Sequence, residues 1–318
     1  MKSILYAGDK NIYKANLHCH TMVSDGCHTP EEIKEIYMEK GYAIVAFTDH
    51  DVLKSHQHLS DEHFLAINGF EVAINETSTP GKSASDLKTY HLNFYAGSSD
   101  MAVTPPLPTM DYRDINAINR YIEERAKEGY LACYNHPYWS LQTYEDYAGL
   151  RGLFAMEIYN HNCEVEDGFC GYHPQAYDEM LRTGQQLHCI SADDNHNAYE
   201  PTSPYYDSFG GWVYINSESL TYEHVMGALK KGDFYASQGP EIYEIALEGK
   251  RLRIKCSPCV SIKVYTQGRK CFTTFGEELT AIEFELTGQE SYLRVTCQDK
   301  EGKEANSNAY WLKGGQVW

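Results

Sequence analysis

The sequence predicts an α/β chain: β-strands alternating with helices and closing into a barrel, followed by a small antiparallel β appendage. Three observations carry this. From residue 12 to about 240, short apolar runs alternate with segments of helical period, which implies a parallel sheet. These units are numerous enough to suggest a barrel. Beyond about residue 241 the pattern becomes apolar/polar alternation broken by glycine turns, as in antiparallel strands with one wet face. The expected division is therefore a barrel over 1–240 and a sandwich-like appendage over 241–318.

The first strand reads from Tyr13 to His20. Thr29, Pro30 and Glu32 then open a helix as N-cap, first helical residue and capping-box partner. Its apolar stripe is Ile33, Ile36 and Tyr37, and Gly41 stops it. Tyr42 to Phe47 is a continuous apolar run, as expected of a parallel strand covered on both faces. Phe64 to Glu71 and Lys88 to Tyr95 are the next strands, separated by a polar, turn-rich loop over 75–87. A helix follows from about Asp114 to Glu128, ended by Gly129. Strands at Tyr130 to Tyr134, Leu153 to Tyr159, Gln186 to Ser191 and Gly211 to Asn216 alternate with helices at Pro174 to Thr183 and Tyr222 to Lys231. In the appendage, strands are expected at Ile242 to Leu247, Leu252 to Lys255, Ser261 to Tyr265, Ile282 to Leu286 and Tyr292 to Thr296.

Composition excludes several classes of function. The 318 residues carry a formal net charge of -18 and no basic run, so a long nucleic acid, whose binding rests on Lys and Arg at the phosphates, is not an expected partner. No apolar run approaches a membrane span, and the N-terminal residues lack a signal-peptide core. The ten cysteines show no disulfide framework, and a cytoplasmic location is expected. Cys256 and Cys259 form a Cys-x-x-Cys that could begin a zinc knuckle. No second such pair follows, and Cys271 and Cys297 stand alone in strand-like contexts, so these cysteines read as ordinary β-residues.

Chemistry-bearing residues gather where strands end. His18 and His20 are two apart, so on a strand both imidazoles point one way and Cys19 the other. Imidazole is the commonest protein metal ligand, and Asp25 follows in a turn closed by Gly26. Later strands end in Thr48-Asp49-His50, Glu71, Asn135-His136-Pro137, Asn160-His161 and Asp193-Asp194-Asn195-His196, and His91 lies in the Lys88 to Tyr95 strand. In βα barrels the reactive groups lie at the C-terminal ends of the strands.

This motif set resembles the PHP family, metallohydrolases named for polymerase and histidinol phosphatase members, over residues 12 to about 240. The segment Ala228 to Pro240 and the appendage look like the subgroup that includes the carbaryl hydrolases. The resemblance implies a distorted seven-stranded βα (TIM-like) barrel holding two to three divalent ions, usually Mn, Fe or Zn. Carried over, His18, His20, Glu71 and Asp194 would hold one ion, with Glu71 bridging to a second held by His91 and His136. Asp25, His50 and His196 would hold the third. Asp194 is preferred to Asp193 because Asp-x-His would place Asp194 and His196 on one strand face. Asp49 is expected to orient an imidazole N–H.

The chemistry implied is hydrolysis by a metal-bridging hydroxide at a trinuclear site, with His161, Asp194 and His196 as candidate catalytic residues and a nearby His or Asp protonating the leaving group. Tyr138, Trp139, Tyr159, Asn160 and His161 are candidate substrate-binding residues, the aromatics forming a wall. A small phosphomonoester is the favoured small-molecule substrate. Phosphoryl oxygens need positive charge, yet only Lys54 and Lys82 lie in the presumed top-face loops, leaving most of the neutralisation to the ions. A neutral ester, amide or carbamate is the alternative. A non-catalytic, metal-stabilised binding module is a second one, disfavoured because a structural zinc needs four ligands rather than nine. Of the other histidines, His28, His56, His58, His63, His173 and His224 are expected at the surface and His188 in the core.

Overall fold

The computed structural model describes residues 2–77, 81, 83–166, 168, 171–313 and 316–317. Its first ten strands are β1 (Lys2–Ala7), β2 (Asn11–Asn16), β3 (Ile44–Phe47), β4 (Leu65–Asn75), β5 (Thr89–Tyr95), β6 (Leu131–Tyr134), β7 (Ala155–Asn160), β8 (His188–Ala192), β9 (Trp212–Ser217) and β10 (Phe234–Ser237). The C-terminal part adds β11 (Ile242–Glu248), β12 (Arg251–Thr266), β13 (Phe272–Glu285), β14 (Tyr292–Gln298), β15 (Glu304–Ser307), β16 (Tyr310–Lys313) and β17 (Gln316–Val317). The helices are α1 (Pro30–Glu39), α2 (Ile115–Glu128), α3 (Tyr144–Tyr147), α4 (His161–Val165), α5 (Pro174–Arg182) and α6 (Tyr222–Lys231).

Local chemistry sets the helix ends. Thr29 and Glu32 close the capping box of α1, and Asp114 and Thr221 accept from the first turns of α2 and α6. Gly129 and Gly232 end the latter two helices at φ 104° and 74°, a left-handed conformation in which only glycine escapes a Cβ penalty. The apolar run of β3 is buried on both faces: Ile44 and Ala46 pack into one core cluster and Val45 and Phe47 into another.

Strand pairing runs β9-β2-β3-β4-β5-β6-β7-β8. The β2–β3, β3–β4, β6–β7 and β7–β8 pairs are parallel, whereas β4–β5 and β5–β6 are antiparallel. The sheet is thus mixed, not wholly parallel. β4 runs four residues past Glu71, and the chain returns directly as β5 with Ala73 opposite His91. Among the described residues no ladder joins β8 to β2. Their extensions are linked by the isolated parallel bridge between Cys19 and Asn195, with His20 N donating to Asn195 O and Asp194 N to His18 O. The first strand accordingly stops at Asn16, and His18 and His20 stand beyond it.

Strand pairing runs across the expected boundary at residue 240. β1 pairs with β11, and β10 pairs with β9 on one side and β15 on the other, so one continuous sheet crosses the boundary. The segments 252–255 and 261–265, expected as separate strands, belong to the single strand β12, which forms ladders with β11, β13 and β14. Its core of Ile245, Leu252, Ile254, Ile262, Val264 and Val295 is separate from those of the βα part. No helix among the described residues is long and apolar enough to cross a membrane.

Candidate metal centre

Beyond the ends of β2, β3, β6 and β8, and from within β4 and β5, nine side chains converge in three overlapping groups. Within each group, ligand atoms lie within 4.8 Å of one another: His18, His20, Glu71 and Asp194; Glu71, His91 and His136; and His20, Asp25, His50 and His196. The structure thus brings together every residue carried over as a ligand, and adds His20 to the third group. Asp194 joins the centre and Asp193 does not. Asp193 accepts from the backbone N–H groups of Phe209, Gly210 and Gly211 and from the Tyr37 hydroxyl. The strand-alternation rule is not the reason, since Asp194 has φ 56°. The left-handed turn swings consecutive aspartates to different sides. His136 is also held at positive φ, 23°, a conformation uncommon for a non-glycine residue and found where surroundings over-determine the backbone.

The donors are placed as metal ligands would be. Nε2 of His18 and Nε2 of His20 are 3.1 Å apart, and both lie 3.0 Å from Asp194 Oδ1. Yet that oxygen, Glu71 Oε2 and His20 Nδ1 are buried without a hydrogen-bond partner. Buried polar atoms are ordinarily paired, so these orphaned atoms, with the His20 ring facing Asp194 through Nε2 and Asp25 through Nδ1, fit bound cations. Burial would raise the Glu71 and Asp194 carboxyls, but His91 and His18 around Glu71, and His18 and His20 around Asp194, hold both well below the carboxylate range. Burial lowers His18, but Asp194, Glu71 and Glu157 outweigh it and raise its pKa. Burial and the neighbouring His196 push His20 down to about 4.

Several residues that hold these ligands were not evident in the sequence. Glu157, fully buried on β7, sits 2.6 Å from His18 Nδ1 and accepts from the His136 backbone N–H. This fixes the His18 tautomer with Nε2 facing the centre. Asn135 donates to Glu71 Oε1 at 2.7 Å, and Asn160 donates to both Glu157 and Asp194. Asp207 accepts from the backbone of His196 and from Asn162. The one available signal for Glu157 was a carboxylate inside the apolar run from Leu153 to Tyr159. Asp49, expected to orient an imidazole, instead accepts from the backbone and hydroxyls of Thr21 and Ser24. It anchors the loop that delivers Asp25.

A cavity of about 200 Å³ opens at the centre, lined by Asp25, His50, Glu71, His91, His136, Trp139, Asn162, Cys163, Asp194 and His196. No Lys or Arg is among them. Lys54 is exposed, and Lys82 lies outside the described residues. Of the expected aromatic wall, Trp139 alone borders this cavity, with its ring 5.1 Å from His136 and 5.3 Å from His91. Tyr138 lines a neighbouring groove of about 440 Å³ with Tyr144, Tyr172 and Glu179. Tyr159 and Asn160 are buried, at 3% and 0% exposure. His161 stands apart from the lining: its Nδ1 shares a 2.9 Å hydrogen bond with Tyr159 OH, its ring abuts Gly210, and it does not border the cavity. Burial drives its pKa down to about 4. His196 lies 2.9 Å from the Asp194 carbonyl through Nδ1. A carbonyl only accepts, so Nδ1 carries a proton and Nε2 is the atom left to face a metal. Burial would lower the His196 pKa, but Asp194, Asp25 and Asp207 outweigh it and raise it. His56 and His173, expected at the surface, are buried at 3% and 6% exposure.

No family model and no curated protein matches the chain. Among solved structures it is similar to one from Bacteroides vulgatus ATCC 8482, described as a two-domain protein containing a predicted PHP-like metal-dependent phosphoesterase. The TM-score is 0.48 at 15% identity, over 98% of this chain and 97% of that one. An amidohydrolase from Chromobacterium violaceum with bound sulfate and no metal superposes at TM-score 0.35 and 14% identity, over 57% of this chain and 87% of that one.

Proposed function

We propose that the chain is a metal-dependent hydrolase of PHP type, acting on a small phosphomonoester at a site for up to three divalent ions. The observation that carries this reading is the convergence of nine His, Asp and Glu side chains in three overlapping groups, with buried donor atoms that have no partner within the protein. A closed structural site uses four ligands; overlapping groups bordering a cavity suit catalysis. His18, His20, Glu71 and Asp194 would hold one ion, Glu71, His91 and His136 a second, and Asp25, His50 and His196 a third. Divalent ions held there would supply positive charge to acidify water and to stabilise charge developing on phosphoryl and leaving oxygens.

The chain's own residues do the rest. Glu157, Asn135 and Asn160 hold the donor set, Trp139 walls one side against water, and the cavity admits a phosphate-sized group rather than a polymer. His161 lies outside the cavity, and the lining histidines His50, His91, His136 and His196 are all taken up as proposed metal ligands, which leaves none of them as a dedicated acid. This favours substrates whose leaving group departs as a stabilised oxyanion.

A neutral ester or carbamate is the second reading, favoured by the absence of Lys and Arg from the cavity lining. One assay separates the two: p-nitrophenyl phosphate and p-nitrophenyl acetate offered to the Mn²⁺-loaded chain. Phosphatase activity lost on chelation and reduced by more than about 100-fold in Glu71→Gln supports the proposal, since residues that only orient ligands typically cost 10–100-fold. Esterase activity alone supports the second reading, and neither activity removes the hydrolase assignment.

A further inference from the structure

In the C-terminal β part, Cys256, Cys259 and Cys297 bring their sulfur atoms within 4.8 Å of one another. All three are buried, at 1%, 1% and 0% exposure. Isolated buried cysteines are usually small core hydrophobes, but this grouping requires a specific backbone device. Along β12, Leu252, Ile254 and Cys256 point inward and Arg253 and Lys255 do not. On a regular strand, Cys259 would therefore face out. Instead, the register with β13 shifts between Lys255 and Cys259 and again between Cys259 and Ser261. The residues between, Ser257 and Pro258, bulge outward, and Cys259 turns in beside Cys256. Hydrogen bonds pin the bulge to Glu241: Ser257 N donates to its carbonyl, and its own N–H donates to Ser257 Oγ. Cys297 arrives from β14, where it lies opposite Ile262 of β12. The sequence reading, which left Cys297 alone, could not anticipate this cross-strand meeting.

We propose that Cys256, Cys259 and Cys297 form a second metal site, separate from the histidine and carboxylate centre, for a thiophilic d¹⁰ ion, Zn²⁺ or Cu⁺. Three sulfurs with no His, Asp or Glu in the group select soft ions over Mg²⁺, Ca²⁺ or Mn²⁺. Thiolates that share one ion at a Zn–S distance of about 2.3 Å fall within that 4.8 Å limit. Each thiol that binds releases its proton to solvent. The ion would tie the bulge of β12 to β14 inside the core that β10 joins to the barrel. The inference does not depend on the barrel's activity.

X-ray absorption on the full chain, loaded with Zn²⁺ alone and separately with Cu⁺ under reducing conditions, tests it. The expected result is a sulfur shell, at about 2.3 Å for zinc, alongside the shorter nitrogen and oxygen shell of about 2.0–2.2 Å from the barrel centre. The ion that gives the sulfur shell identifies the occupant. In Cys259→Ser, that shell is lost and the nitrogen and oxygen shell kept. The wild-type spectrum decides the question even if the variant does not fold. Absence of a sulfur shell with both ions overturns the proposal, as does recovery of Cys256 and Cys259 as a disulfide from protein purified under reducing conditions.

Discussion

At the scale of single residues, most of the converging His and Asp side chains were legible because they are polar groups standing where apolar strands stop, whereas Glu71 and His91 lie within β4 and β5. The residues that hold them were not. Nothing local separates Glu157 from an exposed glutamate except the apolar run around it, Asn135 was readable only as a neighbour of His136, and Asn160 was read as a substrate contact rather than a support for Glu157 and Asp194. Glu157 makes the sharpest case. Its carboxylate meets His18 Nδ1 at 2.6 Å in a fully buried setting, so it sets both tautomer and ring orientation. Glu157→Gln keeps the volume and the oxygen that accepts from His136, but removes the charge facing His18. Isothermal titration of the metal-free protein with Mn²⁺ is expected to show affinity about 10–100-fold weaker, with the number of sites unchanged. An unaltered affinity would mean that His18 needs no partner.

A second residue-scale expectation concerns acid. His188, which the sequence placed in the core, packs its ring between Phe154 and Phe234 at 5.3 and 5.4 Å, and burial lowers its pKa to about 4. In the unfolded chain it takes a proton near its ordinary value of about 6.5. Between those limits the unfolded state binds more protons, so this contribution is full above pH 6.5 and is lost as pH falls toward 4. Thermal unfolding from pH 7.5 to 4.5 should show a declining Tm. His188→Phe should flatten part of that decline, and a variant with the wild-type slope would locate the acid sensitivity elsewhere.

Elements were read with fair accuracy in the βα part because punctuation is local there: caps, prolines and glycines mark where helices begin and end. Strand direction is not local. The antiparallel placement of β5 depends on β4 running on to Asn75 and turning back, and a periodicity of two is the same for either direction. The tail of β8 shows how one element divides its labour. Asp193 accepts four hydrogen bonds from Tyr37 and the backbone of 209–211, whereas Asp194 serves the donor cluster. Asp193→Asn replaces one acceptor oxygen with a donor facing backbone N–H groups, and is expected to cost about 1–3 kcal/mol of stability. Asp194→Asn removes a carboxylate from the centre, so its main effect should be on metal binding. Urea denaturation of the two metal-free variants checks this. Equal destabilisation would show that the two aspartates are not divided as the hydrogen bonds suggest.

On the scale of the whole molecule, two kinds of β-structure, distinct in their sequence patterns, share one continuous sheet. β1 is first in the chain and pairs with β11, and β10 is shared by β9 and β15. Such partners are far apart in sequence and leave no periodic trace. A second tie is Arg294 of β14, 1% exposed, whose guanidinium donates to both oxygens of Asp178 on α5 at 2.7 and 2.9 Å and lies 4.1 Å from the Tyr265 ring. Burial opposes its charge, and Asp178 more than restores it. Removing one partner of a buried pair strands the other, at a cost of about 3–5 kcal/mol. If β10 and this pair couple the two parts into one cooperative unit, amides of β3 and β14 should exchange hydrogen through the same global opening, and Asp178→Ala should lower protection in both equally. If β14 exchanges through a smaller opening while β3 keeps the global value, the C-terminal strands unfold on their own. The shared sheet would then be a contact between two stabilities rather than one.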